Sequence, residues 1–296
     1  MLTAILAPVV ALALSVSAAP RLPLACSSKS QPNPIASTYP DHITGTINGT
    51  IAVLPLDLRL AQEVIGPEYR ILTAAYFDLL PDFPRDQYPA IIQIVQDHDV
   101  QAGGVGIPDF MRISIEYPFV DLLDNSYSSF RLSHDAAMSP YSLGLVGAAN
   151  YGQNVYPAEF DPPCDPYDDS PYITARSFFD PAPNSSDYTF FTNSFGPLPV
   201  HEISPYPLSF FINVTNQPMF ADPARGCNKQ IRLFNTSVSQ PPYEPLDVTG
   251  TTWASKTFFA WPDPAMIDGR AWGPIWGVRL DTAFIEYNNV PCTNLA

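Results

Sequence analysis

Apolar and polar side chains alternate along much of this chain with a period of two, which is the pattern of half-buried β-strands. The clearest case runs from Met111 to Val120. Its apolar residues share one face: Met111, Ile113, Ile115, Tyr117 and Phe119. Its polar residues share the other: Arg112, Ser114 and Glu116. A face that carries charges of both signs is typical either of solvent-facing sheet or of the wet lining of a cavity.

Further apolar runs, separated by proline-marked loops, predict additional strands. They lie at 51–56, 71–77, 90–96, 141–148, 172–179, 188–192, 208–214, 229–234, 256–261 and 276–286. One short helix is predicted to begin at Asp57, a suitable N-cap, and to end at Gly66. About a dozen short strands with one or two helices predict a mainly β fold of the α+β class, with a large antiparallel sheet system arranged as a barrel or packed sheets.

The first residues have the pattern of a secretory signal peptide. Leu2 to Ala13 is almost wholly apolar, and small residues follow up to Ala19. This run of about 13 residues is shorter than the roughly 20 that span a bilayer. We therefore expect residues 1–19 to be a cleaved signal, 20–45 an extended arm and 46–296 a single β-rich domain, giving a secreted chain with no membrane partner.

Cysteines and glycosylation triplets agree with an oxidising, secretory location. All four cysteines lie beyond the signal: Cys26, Cys164, Cys227 and Cys292. An even count without a Cys-x-x-Cys pair predicts two structural disulfides, and of the three possible connectivities we favour Cys164–Cys227 with Cys26–Cys292. Four Asn-x-Ser/Thr triplets predict surface N-glycans at Asn48, Asn184, Asn213 and Asn235.

Charge and motifs exclude several classes of protein. The net charge of −15 makes nucleic acid a poor partner, because phosphate binding requires basic patches. The chain has no Gly-x-Ser-x-Gly elbow, His-Glu-x-x-His, phosphate loop or dinucleotide fingerprint. Asp97-His98-Asp99 fits a strand-end turn better than a metal site, since neighbours on a strand point to opposite faces. The acidic stretch 161–169 lacks the spacing of a calcium loop. We expect no metal and no cofactor.

The order of several segments resembles the acetoacetate decarboxylase-like superfamily. The segments are Val53-Leu54-Pro55 leading into Asp57, Ile91-Ile92-Gln93-Ile94-Val95, Glu116-Tyr117-Pro118-Phe119-Val120, Gly147-Ala148-Ala149-Asn150-Tyr151-Gly152, Tyr156-Pro157-Ala158-Glu159 and Trp276-Gly277-Val278-Arg279. The resemblance covers about half of the chain. It implies a β-walled barrel or packed sheets enclosing an apolar cavity that holds a few polar groups.

The chain departs from this family at the residues that carry its chemistry. In the family, a lysine after a Tyr-Pro-like turn forms an imine with a β-keto acid. Here Ala158 and Glu159 follow that turn, while Gln93 and Arg112 stand where the family has acids. Imine chemistry at this turn is therefore not expected. Lys256, which lies between aromatic residues, is a relocated amine or, more simply, a surface lysine.

What the resemblance leaves is a cavity with a different set of polar groups. Arg112 and Glu159 are the candidate catalytic pair, as carboxylate clamp and general acid or base, or else a purely structural ion pair. Gln93, Glu116 and Tyr151 are the candidate substrate-binding residues.

Three functions remain open at this point. The first is a tailoring enzyme, of lyase or isomerase type, that acts on an organic acid or polyketide-like carbonyl or enol compound by acid–base chemistry. The second is a carrier that binds such a molecule without reaction. The third is a glycan-active secreted enzyme that uses two carboxylates in an open, aromatic-lined cleft. The expected partner is a small molecule, and the oligomeric state is left open.

Overall fold

The computed structural model describes residue 28 and residues 30–140, 142–164, 189–258 and 269–296, and the backbone of 172–177. Fourteen strands lie within these residues: β1 Ile43–Asp57, β2 Arg70–Ile71, β3 Gln87–Ala102, β4 Val105–Ile107, β5 Phe110–Asp121, β6 Phe130–Leu132, β7 Asp135–Met138, β8 Asn154–Asp161, β9 Tyr172–Ser177, β10 Thr189–Pro197, β11 Met219–Phe220, β12 Cys227–Leu233, β13 Leu246–Ser255 and β14 Gly269–Val290. The α-helices in the same residues are α1 Leu58–Ile65, α2 Thr73–Leu79, α3 Leu143–Asn150 and α4 Leu208–Asn216.

The strands form one mixed sheet that closes on itself twice. The smaller ring runs β3-β5-β6-β11-β12-β14-β1, and the larger ring runs β3-β5-β7-β8-β9-β10-β13-β14-β1. The two rings share β14, β1, β3 and β5. Every pairing in the described residues is antiparallel except β6–β11 and β7–β8. The predicted mainly β fold is confirmed, with these two parallel pairings added to an otherwise antiparallel system.

The main hydrophobic core is rich in aromatic side chains. Its largest fully buried members are contributed by α2, β3, β5, β6, β10, α4 and β11: Tyr76, Tyr88, Phe119, Phe130, Phe191, Phe210, Phe211 and Phe220. The helix α1 begins as predicted, because Asp57 accepts a hydrogen bond from the Leu60 amide at 3.0 Å. Gly66 follows its last residue with a positive φ of 101°, a conformation that glycine adopts at little cost.

Three segments predicted as strands are wrong, because they are helical. Residues 71–77 contribute two residues to β2 and then enter α2, 141–148 form most of α3, and 208–214 form most of α4. A short run of apolar residues occurs both in buried strands and in buried helices, so its sequence pattern alone does not distinguish the two. The packing of the folded protein decides between them. In α4 the buried Phe210, Phe211 and Val214 follow helical spacing. Ser142 is the N-cap of α3, and its hydroxyl accepts a hydrogen bond from the Leu145 amide.

Most of the other predicted strands lie within or overlap observed strands. Residues 51–56 belong to β1, 90–96 to β3 and 276–286 to β14, while 172–179, 188–192 and 229–234 correspond to β9, β10 and β12. Of the predicted strand 256–261, the described part forms a turn and the rest lies outside the described residues. Residues 30–42, within the predicted arm, form turns, and β1 begins at Ile43.

The predicted disulfide connectivity is wrong. Cys227 bonds Cys292, not Cys164. The cause is strand register: β12 pairs with β14 so that Cys227 lies opposite Val290, two residues before Cys292. Cys164 is also disulfide-bonded, and Cys26 lies outside the described residues.

The predicted surface features are described in part. Asn213 and Asn235 are exposed, whereas Asn48 is half-buried on β1, which is paired on both sides. Asn184 and the predicted signal, residues 1–19, lie outside the described residues. Among the described helices, none combines the length and hydropathy that crossing a bilayer requires.

Candidate active site

A cavity of about 120 Å³ lies inside the smaller strand ring. Strands of that ring contribute most of its wall, and α3 and β4 contribute to its edge. Its charged lining residues are Asp97, Arg112, Glu116, Arg131, Arg232 and Glu286. Three guanidinium groups and three carboxyl groups therefore share a small, largely enclosed space.

The pleat of β5 explains how one strand serves both core and cavity. Successive side chains of a strand point to opposite faces. The apolar residues Met111, Ile113 and Ile115 pack in the main core, and the polar residues Arg112, Ser114 and Glu116 line the cavity. The polar face that the sequence left open between solvent and cavity is the cavity lining.

Glu116 is held at the inner end of the cavity by three polar groups. Gln93 donates its amide N–H to Glu116 Oε2 at 2.6 Å, and the Ser114 hydroxyl donates to Oε1 at 2.9 Å. Arg131 Nε lies 2.9 Å from Glu116 Oε2 and forms an ion pair with it. Since both carboxylate oxygens of Glu116 already interact with these groups, Glu116 serves chiefly to orient its neighbours.

Arg112 forms an ion pair with a neighbouring carboxylate. Its Nε donates to Asp97 Oδ2 at 2.6 Å, and both side chains are largely buried. Burial by itself lowers the pKa of Arg112, but the negative charge of Asp97 outweighs burial and the pKa is raised. Arg112 is therefore a fixed cation of the cavity wall, paired within the protein.

Arg131 and Arg232 differ from Arg112, because each keeps N–H groups without a partner. Arg232 Nη2 donates to Gln93 Oε1 and to Gln230 Oε1. Within the described residues, Nε and Nη1 of Arg232 and Nη1 of Arg131 are buried and make no hydrogen bond. Burial lowers the pKa of both side chains, and for Arg232 the adjacent guanidinium groups lower it further. An unpaired buried donor costs about 1–3 kcal/mol of stability. An anion that accepts hydrogen bonds from these groups would remove that cost.

Glu286 is a carboxyl group of the cavity whose pKa is raised. Asn228 and Gln230 donate to its two oxygens at 2.9 and 3.3 Å. Burial raises its pKa, and the nearby negative charge of Asp97 raises it further, although the two amide hydrogen bonds act in the opposite direction. A carboxyl group with a raised pKa can serve as a general acid or base near neutral pH.

Tyr151 lies in the cavity wall as a neutral hydrogen-bonding group. Its hydroxyl donates to Gln153 Oε1 at 3.1 Å, and the Gln153 amide donates to the Ser133 hydroxyl at 2.6 Å. Burial, followed by the charge of Glu286, raises the pKa of Tyr151. The phenol therefore stays protonated at neutral pH.

The structure brings together four of the five site residues predicted from the sequence. Gln93, Arg112, Glu116 and Tyr151 all line the cavity. Glu159 does not, and its assignment to the site is corrected here. It lies on β8, where its neighbours Ala158 and Phe160 are buried and its own side chain is exposed, because alternate strand residues face opposite sides.

Sequence reasoning missed Arg131, Arg232 and Glu286. Two of the three had a signal in the alternation of polar side chains along strands: Asn228, Gln230 and Arg232 on β12, and Glu286 with Asn288 on β14. Arg131 had no such run of alternating polar side chains around it, because both of its neighbours, Phe130 and Leu132, are fully buried apolar residues.

No metal site and no amine is found at this cavity among the described residues. Those residues contain no cluster of three or more side chains suited to bind a metal ion. Lys229 lies on β12 between the lining residues Asn228 and Gln230 and does not line the cavity, and Lys256 is exposed. Lys29 lies outside the described residues.

Comparisons with known proteins find matches among solved structures alone. No family model matches the chain, and no curated protein matches its sequence. Among solved structures, acetoacetate decarboxylase from Legionella pneumophila is 10% identical, with 84% of this chain and 86% of that one covered and a TM-score of 0.41. The enduracididine biosynthesis enzyme MppR, solved with the condensation product of pyruvate and imidazole 4-carboxaldehyde, is 10% identical over 89% and 95%, with a TM-score of 0.40.

A third solved structure is described as an acetoacetate decarboxylase-like enzyme from Sphingomonas wittichii RW1. It is 8% identical, with 84% of this chain and 92% of that one covered and a TM-score of 0.38. All three TM-scores lie below 0.5.

Proposed function

We propose that the cavity binds a small organic acid and acts on its carbonyl or enol group by acid–base chemistry, without an imine. The observation that carries this proposal is the set of buried guanidinium N–H groups of Arg131 and Arg232 that have no partner in the described residues. A carboxylate has two oxygens, each of which can accept a charge-assisted hydrogen bond from such a group. Binding one would satisfy donors that otherwise reduce the stability of the fold.

The reaction we propose moves one proton. As a carboxylate, Glu286 removes a proton from the carbon next to the substrate carbonyl, which leaves an enolate and a protonated Glu286. The guanidinium groups stabilise the negative charge on the enolate oxygen in a site of low dielectric. Glu286 then returns the proton to a different carbon, which gives an isomer, or protonates a leaving group, which gives a dehydration.

Ligand binding is tested by thermal unfolding in the presence of small carboxylic acids. At a concentration of about 100 Kd, a ligand adds about 2.7 kcal/mol, which for a chain of this size corresponds to a rise of roughly 5–10 °C. The variant Arg232→Gln should lose most of this rise. Arg59→Gln, which changes an exposed arginine of α1, is the matched control. Equal stabilisation of both variants would contradict the assignment of the carboxylate site.

Catalysis is tested by solvent exchange, which needs no knowledge of the product. Panels of 2-oxo and 3-oxo acids are incubated with the protein in D2O, and loss of the α-proton signal is followed by NMR. We expect exchange with the wild type and none with Glu286→Gln, while Glu159→Gln, an exposed acid of β8, should behave as the wild type. Borohydride should trap no covalent adduct, since the described lysines lie away from the cavity.

The two other functions correspond to defined outcomes of these experiments. Stabilisation by acids without proton exchange would identify a carrier. A glycan-active enzyme requires an open cleft lined with aromatic residues, so it predicts stabilisation by oligosaccharides and none by small acids. The 120 Å³ cavity and its arginines favour the acid.

We also propose that the protein is a secreted glycoprotein. The signal-like first 19 residues, the Cys227–Cys292 disulfide and the exposed Asn213 and Asn235 support this. Expression in a eukaryotic secretory host should yield a chain that begins after Ala18 or Ala19 and loses mass on treatment with an N-glycosidase. Recovery of an intact N-terminus from the cell interior would contradict the proposal.

A further inference from the structure

The cavity has apolar lining residues beside its charged groups, and they reach its outer end. Along β5 the lining residues run from Glu116 through Arg112 to Phe110, a length of about 20 Å at roughly 3.3 Å per residue. The inner end is charged and almost completely buried. Apolar lining residues come from six different elements: Ile43, Val100, Ile107, Phe110, Leu143 and Phe284. Charged groups lie at the same level, because Glu286 pairs with Ile43 and Asp97 pairs with Phe110.

Apolar surface continues from the mouth onto the outside of the protein. Leu143, which lines the cavity, is 56% exposed, and Val146 on the same helix is 55% exposed. Val105, which lies on β4 two residues before the lining residue Ile107, is 67% exposed. The residues of α3 are apolar or small along almost its whole length, so the helix offers an apolar surface rather than the usual polar outer face.

The enclosed space is too small for more than the head of a larger ligand. A cavity of about 150 Å³ holds a benzene molecule, and this one measures about 120 Å³. Any molecule with more than about six to eight heavy atoms must therefore extend through the mouth, where it meets the apolar surface next to α3.

Gly147 keeps the mouth wide. It lines the cavity, and a Cβ atom added there would meet no atom within 4 Å. Gly144, one turn earlier, differs, because a Cβ atom there would lie 2.4 Å from the Phe110 ring. Gly144 is therefore needed for α3 to pack against Phe110, whereas Gly147 leaves open space beside the cavity.

We propose that the ligand is an amphiphilic acid, whose carboxylate binds Arg131 and Arg232 while an apolar tail leaves through the mouth along α3, and that Gly147 determines how bulky that tail can be. This inference rests on the proposed function, because it takes the arginine end as the carboxylate site. It adds the substrate class: acids with an alkyl or aryl tail, in preference to acids of two or three carbons.

The test is a chain-length series. Dissociation constants of straight-chain carboxylates from acetate to decanoate are measured by calorimetry with the full secreted chain. Each methylene buried in the mouth should tighten binding by about fourfold, until the tail reaches solvent and the gain stops. A constant affinity along the series would overturn the inference. Loss of acetate binding in Arg232→Gln is measured alongside, so that failure of the carboxylate site is recognised separately.

The variant Gly147→Leu makes the test specific to the mouth. It should weaken binding of decanoate at least tenfold and leave acetate within a factor of two. Ala149→Leu, on the same helix at an exposed position that does not line the cavity, is the matched control and should bind both acids as the wild type does. Equal effects of Gly147→Leu on short and long acids, or equal effects of the two variants, would overturn the role of Gly147.

Discussion

Two buried polar clusters of this protein handle charge in opposite ways. In the cavity, Arg131 and Arg232 keep N–H groups that the described residues do not satisfy. Elsewhere on β3, His98 is fully buried and lies between two carboxylates, with Nδ1 2.8 Å from Asp99 Oδ2 and Nε2 3.7 Å from Asp281 Oδ1.

The two clusters also differ in the groups that they leave open. In the cavity, three guanidinium groups face three carboxyl groups and N–H groups of Arg131 and Arg232 stay without a partner among the described residues, whereas the His98 cluster has two acids around one base. An anionic ligand therefore stabilises the first cluster, and a proton stabilises the second. Neither Asp99, Asp281 nor His98 lines the cavity, so the comparison can be tested one cluster at a time.

The His98 cluster also holds the segment that precedes β1. The Ser30 hydroxyl donates to Asp281 Oδ2. Asn33 donates to the Asp99 carbonyl at 3.2 Å and to the Thr44 hydroxyl at 3.0 Å. The His98 cluster contacts this segment and thus serves the structure, while the open N–H groups of Arg131 and Arg232 in the cavity are available to a ligand.

The largest expected effect comes from breaking the matched pair inside the cavity itself. Asp97→Ala leaves Arg112 buried without its carboxylate, and removing one partner of a buried ion pair costs about 3–5 kcal/mol. Unfolding in urea should show this loss as a lower midpoint at an unchanged slope. A loss below 1 kcal/mol would mean that the Arg112–Asp97 pair is not structural.

A smaller loss is expected from Asp281→Asn, which removes one of the two charges that face His98. Asp281 Oδ1 lies 3.7 Å from His98 Nε2, an ion-pair contact without a hydrogen bond. Two unit charges about 4 Å apart interact by roughly 1 kcal/mol in water and about 4 kcal/mol near a protein surface, so we expect a loss of about 2 kcal/mol at pH 5.5. Asp78→Asn, which changes an exposed acid of α2, is the control. Equal losses in the two variants would show that His98 does not need Asp281.

The His98 cluster should also make stability depend on pH. The nearby carboxylates of Asp281 and Asp99 raise the pKa of His98 in spite of its burial. Its stabilising contribution is therefore fully present below about pH 6.5, the value for an unfolded chain, and is lost as pH rises through the raised folded-state pKa. The variant His98→Gln lacks this contribution at every pH. Its melting temperature should therefore lie furthest below that of the wild type at pH values under about 6.5, and the difference should become smaller as the pH rises. A difference that stays constant with pH would refute this reading.

The smallest effect on the unliganded protein is expected from Arg232→Met. Replacing a poorly compensated buried charge by an apolar side chain is often neutral or stabilising. We expect the free energy of unfolding to change by less than about 1 kcal/mol, while stabilisation by carboxylic acids disappears. A large loss without ligand would place Arg232 with Arg112 among the structural cations and remove the contrast between the clusters.

The sequence predicted the strands better than the helices. The alternation of Met111 to Phe119 and the apolar runs at 51–56 and 90–96 identified β5, β1 and β3, because a strand with one polar face repeats every two residues. The apolar runs of α3 and α4 have no such polar face, so their helical state was not readable. The N-cap Asp57 could be identified from the sequence, since an N-cap acts through local hydrogen bonds.

The candidate site was predictable where its residues share a strand or a resemblance, and not where ring closure brings in distant ones. Gln93, Arg112 and Glu116 were identified because they lie on two adjacent, strongly patterned strands. Arg232 reaches Gln93 although 139 residues separate them, and this contact exists only because β12 pairs with β14 and closes the smaller ring.

By itself, the sequence determined the mainly β class, the polar face of β5, the first helix and the absence of a lysine directly after Tyr156-Pro157. All of these depend on neighbouring residues or on a period of two. The tertiary structure alone decided which arginines share the cavity, that Glu159 faces outward, and that Cys227 bonds Cys292. Each of these follows from strand pairing between segments far apart in the chain, which local pattern does not encode.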